Sequence, residues 1–311
     1  MPDRTPRAAT FLGRASCPPL LHILSHMPVS QTKSAAIDLL TSFGFALGRA
    51  SVHTARTMML RELTLLLDYV PADDAGREEY VSAIVEDNCL GKRSQKNRVL
   101  TLGHLIDLYT LDGNTLLFRT LRHFWQREPG DRALLAALVA CARDQLFRQY
   151  LPFILAMGEG EPFSRPALDV SIREREPERF SPVTLTTVSQ HLASSWVQSG
   201  FLEGKKKKHR IGTRPGPGAI SLALLLGYLA GVRGALLFQT FFAKVLDCPA
   251  DELVNLAEEA SRRGYLVCKH VGDVMDIHFN SLLTVREQEL IGEQDQTASS
   301  ELLKLHFPSL A

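Results

Sequence analysis

Residues 181–211 read SPVTLTTVSQHLASSWVQSGFLEGKKKKHRI, and the rest of the chain is organised around them. Ser181 ahead of Pro182 marks a helix start: a hydroxyl that can accept an orphan amide hydrogen, then a residue that lacks one and whose φ suits the first turn. Leu185, Val188, Leu192 and Trp196 follow at spacings of three, four and four, one apolar stripe on a helix, and Gly200 supplies the stop. The chain then turns through Phe201-Leu202-Glu203-Gly204 into Lys205, Lys206, Lys207, Lys208, His209 and Arg210 before Ile211. Upstream, residues 166–175 form a shorter helical pattern that stops at Glu176-Pro177. Short helix, turn, second helix, strand and basic hairpin is the order of a winged helix-turn-helix.

Toward the N-terminus the apolar period is helical from residue 34 to about 152. Ala36, Leu39, Leu40, Phe43 and Leu47 form one stripe, and Leu60, Leu63, Leu67 and Val70 another, stopped by Pro71-Ala72-Asp73-Asp74. Further helices are expected over 80–90, 100–111, 115–127 and 132–155. The expected unit is a helical domain over 31–157. Residues 1–30 carry Pro2, Pro6, Pro18, Pro19 and Pro28 without a period, and are expected to form a flexible leader. A Gly/Pro-rich linker at 158–166 then opens a winged helix-turn-helix over 158–215 with a basic wing.

Beyond it, 219–246 is the most apolar stretch, but its uninterrupted run reaches Arg233 well short of the roughly 20 residues a bilayer-spanning helix needs. Two buried helices are expected there. Leu253, Leu256, Ala257 and Ala260 define another helix, ended by Gly264, and two alternating strands, 265–271 and 274–279, flank Gly272-Asp273 as a β-hairpin. Helix, glycine, strand, turn and strand thus occur twice, which suggests a second winged-helix-like module within 216–285. A polar tail, 286–311, carries a last short helix at 300–306. The fold class expected is mostly α: an N-terminal helical bundle followed by two winged-helix-like modules with short β-hairpins.

With 311 residues, 45% apolar and 22% charged, the composition is that of a globular protein and excludes disorder throughout. Lys plus Arg number 35 against 34 Asp plus Glu, so bulk charge selects no partner and only the placement of charge can. The five cysteines are scattered, which fits neither a disulfide framework nor a metal clip and points to a reducing, cytoplasmic setting. The apolar stretch 18–24 is interrupted by His22 and lacks a signal-peptide cleavage pattern.

Six of the ten residues from 205 to 214 are Lys or Arg, with no acid among them. Cations that neutralise phosphates on a hairpin beside a helix are the footprint of a double-stranded DNA-binding wing. Lys205, Lys206, Lys207, Lys208, His209, Arg210 and Arg214 are the expected phosphate contacts. Ser181, Thr184, Thr187, Gln190 and His191, with Thr186 and Ser194, are the expected groove side of the preceding helix. These are short donors and acceptors, which implies modest sequence specificity. Lys92, Arg93, Lys96 and Arg98 make a second acid-free basic patch, for phosphates or an acidic partner. Arg143 and Asp144, near Arg148, read as an intrahelical ion pair.

Catalysis finds no support: the ten histidines are dispersed, and no HExxH, GxSxG or paired-carboxylate motif is present. The Gly-rich 212–218 stretch is no Walker loop, because no GKS or GKT follows it. No enzyme activity, cofactor, metal, membrane or small-molecule substrate is expected.

Lys96-Asn97-Arg98 opening one helix, Ser181 and Thr184 opening a later one, and the ending Trp196-Val197-Gln198-Ser199-Gly200-Phe201-Leu202-Glu203-Gly204-Lys205 resemble the BrxA-like family of bacteriophage exclusion (BREX) defence systems over about residues 34–215. The resemblance implies a small helical, winged-helix-bearing DNA-binding component without catalytic residues, partnered by other subunits of a bacterial defence system; residues 219–279 would be an additional module. Two alternatives stand beside that function: a protein-interaction scaffold using winged helices and the apolar helices, and an autonomous transcription regulator.

Overall fold

The computed structural model describes residues 29–271, 274–295 and 307. Its N-terminal half contains α1 (Val29–Ser42), α2 (Leu60–Tyr69), α3 (Arg77–Val85), α4 (Gln95–Tyr109), α5 (Leu116–Arg127), α6 (Arg132–Arg143) and α7 (Gln145–Leu155). Then come α8 (Arg165–Arg175), α9 (Pro182–Gln198), a hairpin of β1 (Leu202–Glu203) and β2 (His209–Arg210), and α10 (Pro217–Leu229). The C-terminal part holds α11 (Phe241–Val245), α12 (Ala250–Arg262), a hairpin of β3 (Val267–Val271) and β4 (Val274–His278), and α13 (Val285–Asp295). The chain is mostly α with two short antiparallel hairpins, as its periodicity implies. The expected leader falls up to residue 28 outside the described residues, as do the Gly272-Asp273 turn and the 300–306 helix.

Two helices without a polar face sit at the centre. In α6 every residue from Leu134 to Ala142 is buried, and in α10 the run from Pro217 to Gly227 is buried with Leu229. A helix apolar all round must be surrounded by other elements. α6 is packed by α4, α5, α7 and α10, and α10 in turn by α5, α11 and α12. The buried side chains form one cluster from Leu40 to Phe307, so the core passes through the expected divisions at 157 and 215 without a break. The apolar 219–246 stretch is absorbed by this core, and among the described residues no helix is long and apolar enough to cross a membrane. Its second half is not the expected single helix but a 3-10 turn, Gly234–Gln239, followed by α11. Thr240 makes the break, its hydroxyl donating to the Leu237 carbonyl and accepting from the Ala243 amide.

The helix expected over 132–155 is two helices, divided at Asp144. The Asp144 backbone is extended, and its carboxylate accepts from the Phe147 amide at 2.9 Å, capping α7. Nor does Asp144 pair with an arginine of its own helix. It reaches across to a 3-10 turn, Val52–Thr54, accepting from the Ser51 hydroxyl and the Val52 amide, both at 2.7 Å, with His53 Nδ1 3.0 Å away. Arg143 instead donates to the carbonyls of Asp107, Gly44 and Ile106, and Arg148 to that of Cys141. These guanidiniums close the open ends of neighbouring helices and loops.

Asp131 plays the corresponding part for α10. Its buried carboxylate accepts from the Gly216 amide at 2.7 Å and the Ala219 amide at 2.8 Å, holding the start of that helix. A Cβ on Gly216 would lie 2.7 Å from Asp131 Oδ1, so the Gly-rich 212–218 stretch is built for close approach of a carboxylate to a helix start.

The expected linker at 158–166 is also more than a connection. Gly160 N donates to the Arg210 carbonyl, Arg210 N to that of Glu161 and Phe163 N to that of Lys208, while Pro162 bridges His209. This segment therefore runs along β2 on the side away from β1. The second hairpin pairs Val267 with His278 through Val271 with Val274 and turns Leu266 and Ile277 into the core.

Burial alone would push the Asp144 carboxyl up, but the His53 ring and the Phe147 and Ser51 donors more than offset that and hold it below its ordinary value. A carboxyl whose folded pKa is the lower contributes stability that is present above its unfolded value and lost as pH falls through the folded one. Wild-type melting temperature should therefore drop on acidification below about pH 4. D144N should lose about 3–5 kcal/mol at neutral pH and show a shallower acid dependence, read by thermal unfolding across pH.

Candidate nucleic-acid interface

The candidate site is built from α8, α9 and the first hairpin. Ser164 caps α8 and Ser181 caps α9, each hydroxyl accepting the amide three residues on, Ala167 and Thr184. Gly200, at φ +83°, ends α9, and β1 and β2 pair Leu202 with Arg210 and Glu203 with His209. Gly204 at φ +101° allows the turn between them, because a Cβ there would lie 2.1 Å from the Lys207 carbonyl oxygen.

Lys205, Lys206 and Lys207 are exposed at the tip, and Lys208, half-buried, folds its ammonium back to the Lys205 carbonyl at 3.1 Å. The acid-free run in sequence meets acids in space at its base. His209 Nε2 lies 2.6 Å from Glu203 Oε1, and the Glu159 carboxylate lies against Gly212. A cleft of about 700 Å³ opens here between the start of α6, the 159–160 segment and the first hairpin, with Thr213 and the exposed Arg214 among its lining. The positive tip is thus set off from a partly neutralised base.

Arg210 does not belong to the phosphate-gripping set. It is 2% exposed, and its guanidinium donates to the carbonyls of Ile154, Phe201 and Ile211 while pairing with Asp247. The physical reason lies in the hairpin: opposed residues of an antiparallel pair share a face, and Arg210 opposes the buried Leu202. The side chain is a pin from the hairpin to α7 and to the loop after α11.

His191 is likewise turned away from the open face of α9. Its Nδ1 lies 3.0 Å from the His53 carbonyl oxygen, and burial pushes its pKa down. The 51–60 segment covers this flank: the Ser195 hydroxyl donates to the His191 carbonyl and accepts from Met58 N, with His53 Nε2 2.9 Å away, and Gln198 accepts from Leu60 N. Asp144, His53 and Ser195 stand in the order of an acyl-transfer triad. All three are buried, and the serine hydroxyl is already engaged by the His191 carbonyl and the Met58 amide, so the trio joins bundle to helix as a polar pin.

On the remaining face of α9, Val183 is 78% exposed and Gln190 is exposed, with Thr186, Thr187 and Ser194 half-buried around them. Ser181 and Thr184 sit at the cap, their hydroxyls 2.9 Å apart. Thr186 and Thr187 donate to the carbonyls of Pro182 and Val183.

The second basic patch does not form one cationic face. Lys92 pairs with Glu62 at 2.9 Å, and Arg98 donates to the Val85 carbonyl at the end of α3. Arg93 and Lys96 remain exposed. Among the described residues no group of three or more His, Cys, Asp or Glu could hold a metal ion. Family models, curated proteins and solved structures give no match to the chain.

R210M should cost about 3–5 kcal/mol, because it leaves the Asp247 carboxylate without its cationic partner and removes the guanidinium from the Ile154, Phe201 and Ile211 carbonyls, the first two of which keep backbone donors. K206A, at the exposed tip, should stay within about 0.5 kcal/mol of wild type. Urea unfolding of the two variants distinguishes pin from tip.

Proposed function

We propose that this chain is a non-enzymatic double-stranded DNA-binding protein in which α8, α9 and the first hairpin act as a winged helix-turn-helix. One observation carries the reading: three exposed lysines stand at the tip of a hairpin that directly follows a well-capped helix. Further support comes from the 160–163 segment running beside β2, so that an extended segment precedes helix, helix and hairpin. Lys205, Lys206 and Lys207 grip phosphate with Lys208 beside them, Arg214 adds a cation at the cleft below, and α9 faces the groove. The second hairpin, after α12, is the other winged-helix-like unit of this reading; its sequence carries no comparable run of lysines. The resemblance of its sequence to the BrxA-like family supports reading the chain as part of a bacterial phage-defence assembly with other subunits as partners. The scaffold alternative loses its main support, since the apolar 219–246 stretch packs within the chain's own core.

Duplex binding should weaken steeply with salt, the logarithm of affinity falling by about 0.9 per phosphate neutralised for each tenfold rise in salt. Mobility shifts across a salt series should show the wild type binding a random duplex. The variant with Lys205, Lys206, Lys207 and Lys208 all changed to Ala should bind more weakly, its salt slope shallower by about one per lysine that contacts phosphate. Equal affinity and slope for the two proteins would overturn the assignment of the wing.

A further inference from the structure

α9 presents a stripe without a single charge. Val183, Thr187, Gln190 and Ser194 recur at steps of four, three and four, with Thr186 beside them, which places them on one side of the helix. The other sides are accounted for. His191, Ser195 and Gln198 are held by the 51–60 segment, and α8 and β1 pack against a helix whose buried side is Leu185, Val188, Leu192 and Trp196. What is left open is therefore a single strip, bounded on one side by a fixed part of the bundle.

The chemistry of that strip is unusual for a surface that meets a polyanion. Val183 at 78% is the most exposed of the large apolar side chains among the described residues, and it sits in the first turn of the helix, where a groove-bound helix meets the bases. Thr186 and Thr187 donate their hydroxyl hydrogens to the helix's own carbonyls, so what they keep for a ligand is a methyl group and oxygen lone pairs. Gln190 is the one amide on the strip, exposed and able to donate and accept together. Thymine is the base that carries a methyl group in the major groove, and adenine is the base whose edge matches a bidentate amide.

We propose that this strip makes the protein prefer duplexes with thymine in the groove, Val183 and Thr187 reading the C5-methyl groups and Gln190 the adjacent adenine. The proposal rests on the DNA-binding reading above and deepens it: lysines supply the affinity, and the uncharged strip supplies the preference.

The test compares one duplex of mixed sequence with its copy in which every thymine is replaced by uracil, which removes the methyl groups and keeps the pairing. Wild type should bind the uracil duplex more weakly, by about fourfold for each methyl buried. V183A combined with T187S should show nearly equal affinity for the two duplexes at an unchanged salt slope. Both substitutions are compatible with the fold, since Val183 is exposed and serine keeps the hydroxyl. If the wild type binds both duplexes equally, this proposal fails while duplex binding stands. Full methyl dependence in the double variant also overturns it. If neither duplex is bound at low salt, the DNA-binding reading fails and this inference with it.

Discussion

The Asp144 carboxylate is the point on which the arrangement turns. A buried carboxylate is tolerated only when its oxygens are met by donors, and Asp144 gathers them from three places: the first turn of α7, the Ser51 hydroxyl with the Val52 amide, and the His53 ring. The His53 ring also stacks on Phe147, at 5.1 Å between centroids, so the turn is held by packing as well as by polar contacts. From His53 the contact passes to Ser195 in the last turn of α9. One acidic residue therefore divides two helices, fixes a loop and sets the flank of the helix that faces the proposed ligand. Removing a member of such a network leaves the others buried and unpartnered, which is why its effect should exceed that of a surface ion pair.

The first hairpin is set by a second buried charge with the opposite sign. Arg210 joins β2 to the end of α7 and to Asp247, so the base of the hairpin is rigidly tied to the bundle while its tip projects lysines into water. Binding groups on a fixed scaffold lose less freedom when a ligand arrives than groups on a loose loop. The two pins, Asp144 through Ser195 and Arg210 through Asp247, hold α9 and the first hairpin in one frame. A uniform core completes that frame, with α6 and α10 sharing the same buried cluster as α9.

Much of this was legible in the sequence because it is local. The Ser181-Pro182 start, the stripe through Leu185 and Trp196, and the alternation on either side of residues 272–273 depend on neighbours a few residues away, and those elements fall close to where the periods place them. The division at Asp144 was hidden because the apolar period runs through it, and its partners at 51–53 are remote in the chain. The 158–166 stretch looked like a linker for a related reason: glycine and proline suit both a connection and a strand edge, and only pairing with β2 separates them. In the candidate site, the lysine tip was plain from composition. The inward turn of Arg210 had a signal that composition conceals, since a hairpin that buries Leu202 must also bury the residue opposite. His191 lay at the right step for the groove side, but a helix has more than one flank, and the 51–60 segment occupies that one.

Under the proposed function the exposed lysine tip, and not the basic patch around the start of α4, meets duplex DNA. Lysine acylation footprinting of the full chain, with and without a duplex at low salt, tests it directly. The account predicts that Lys205, Lys206 and Lys207 become protected on adding the duplex while Lys96 keeps its reactivity. Protection of Lys96 with an unchanged wing, or no protection anywhere, would contradict it.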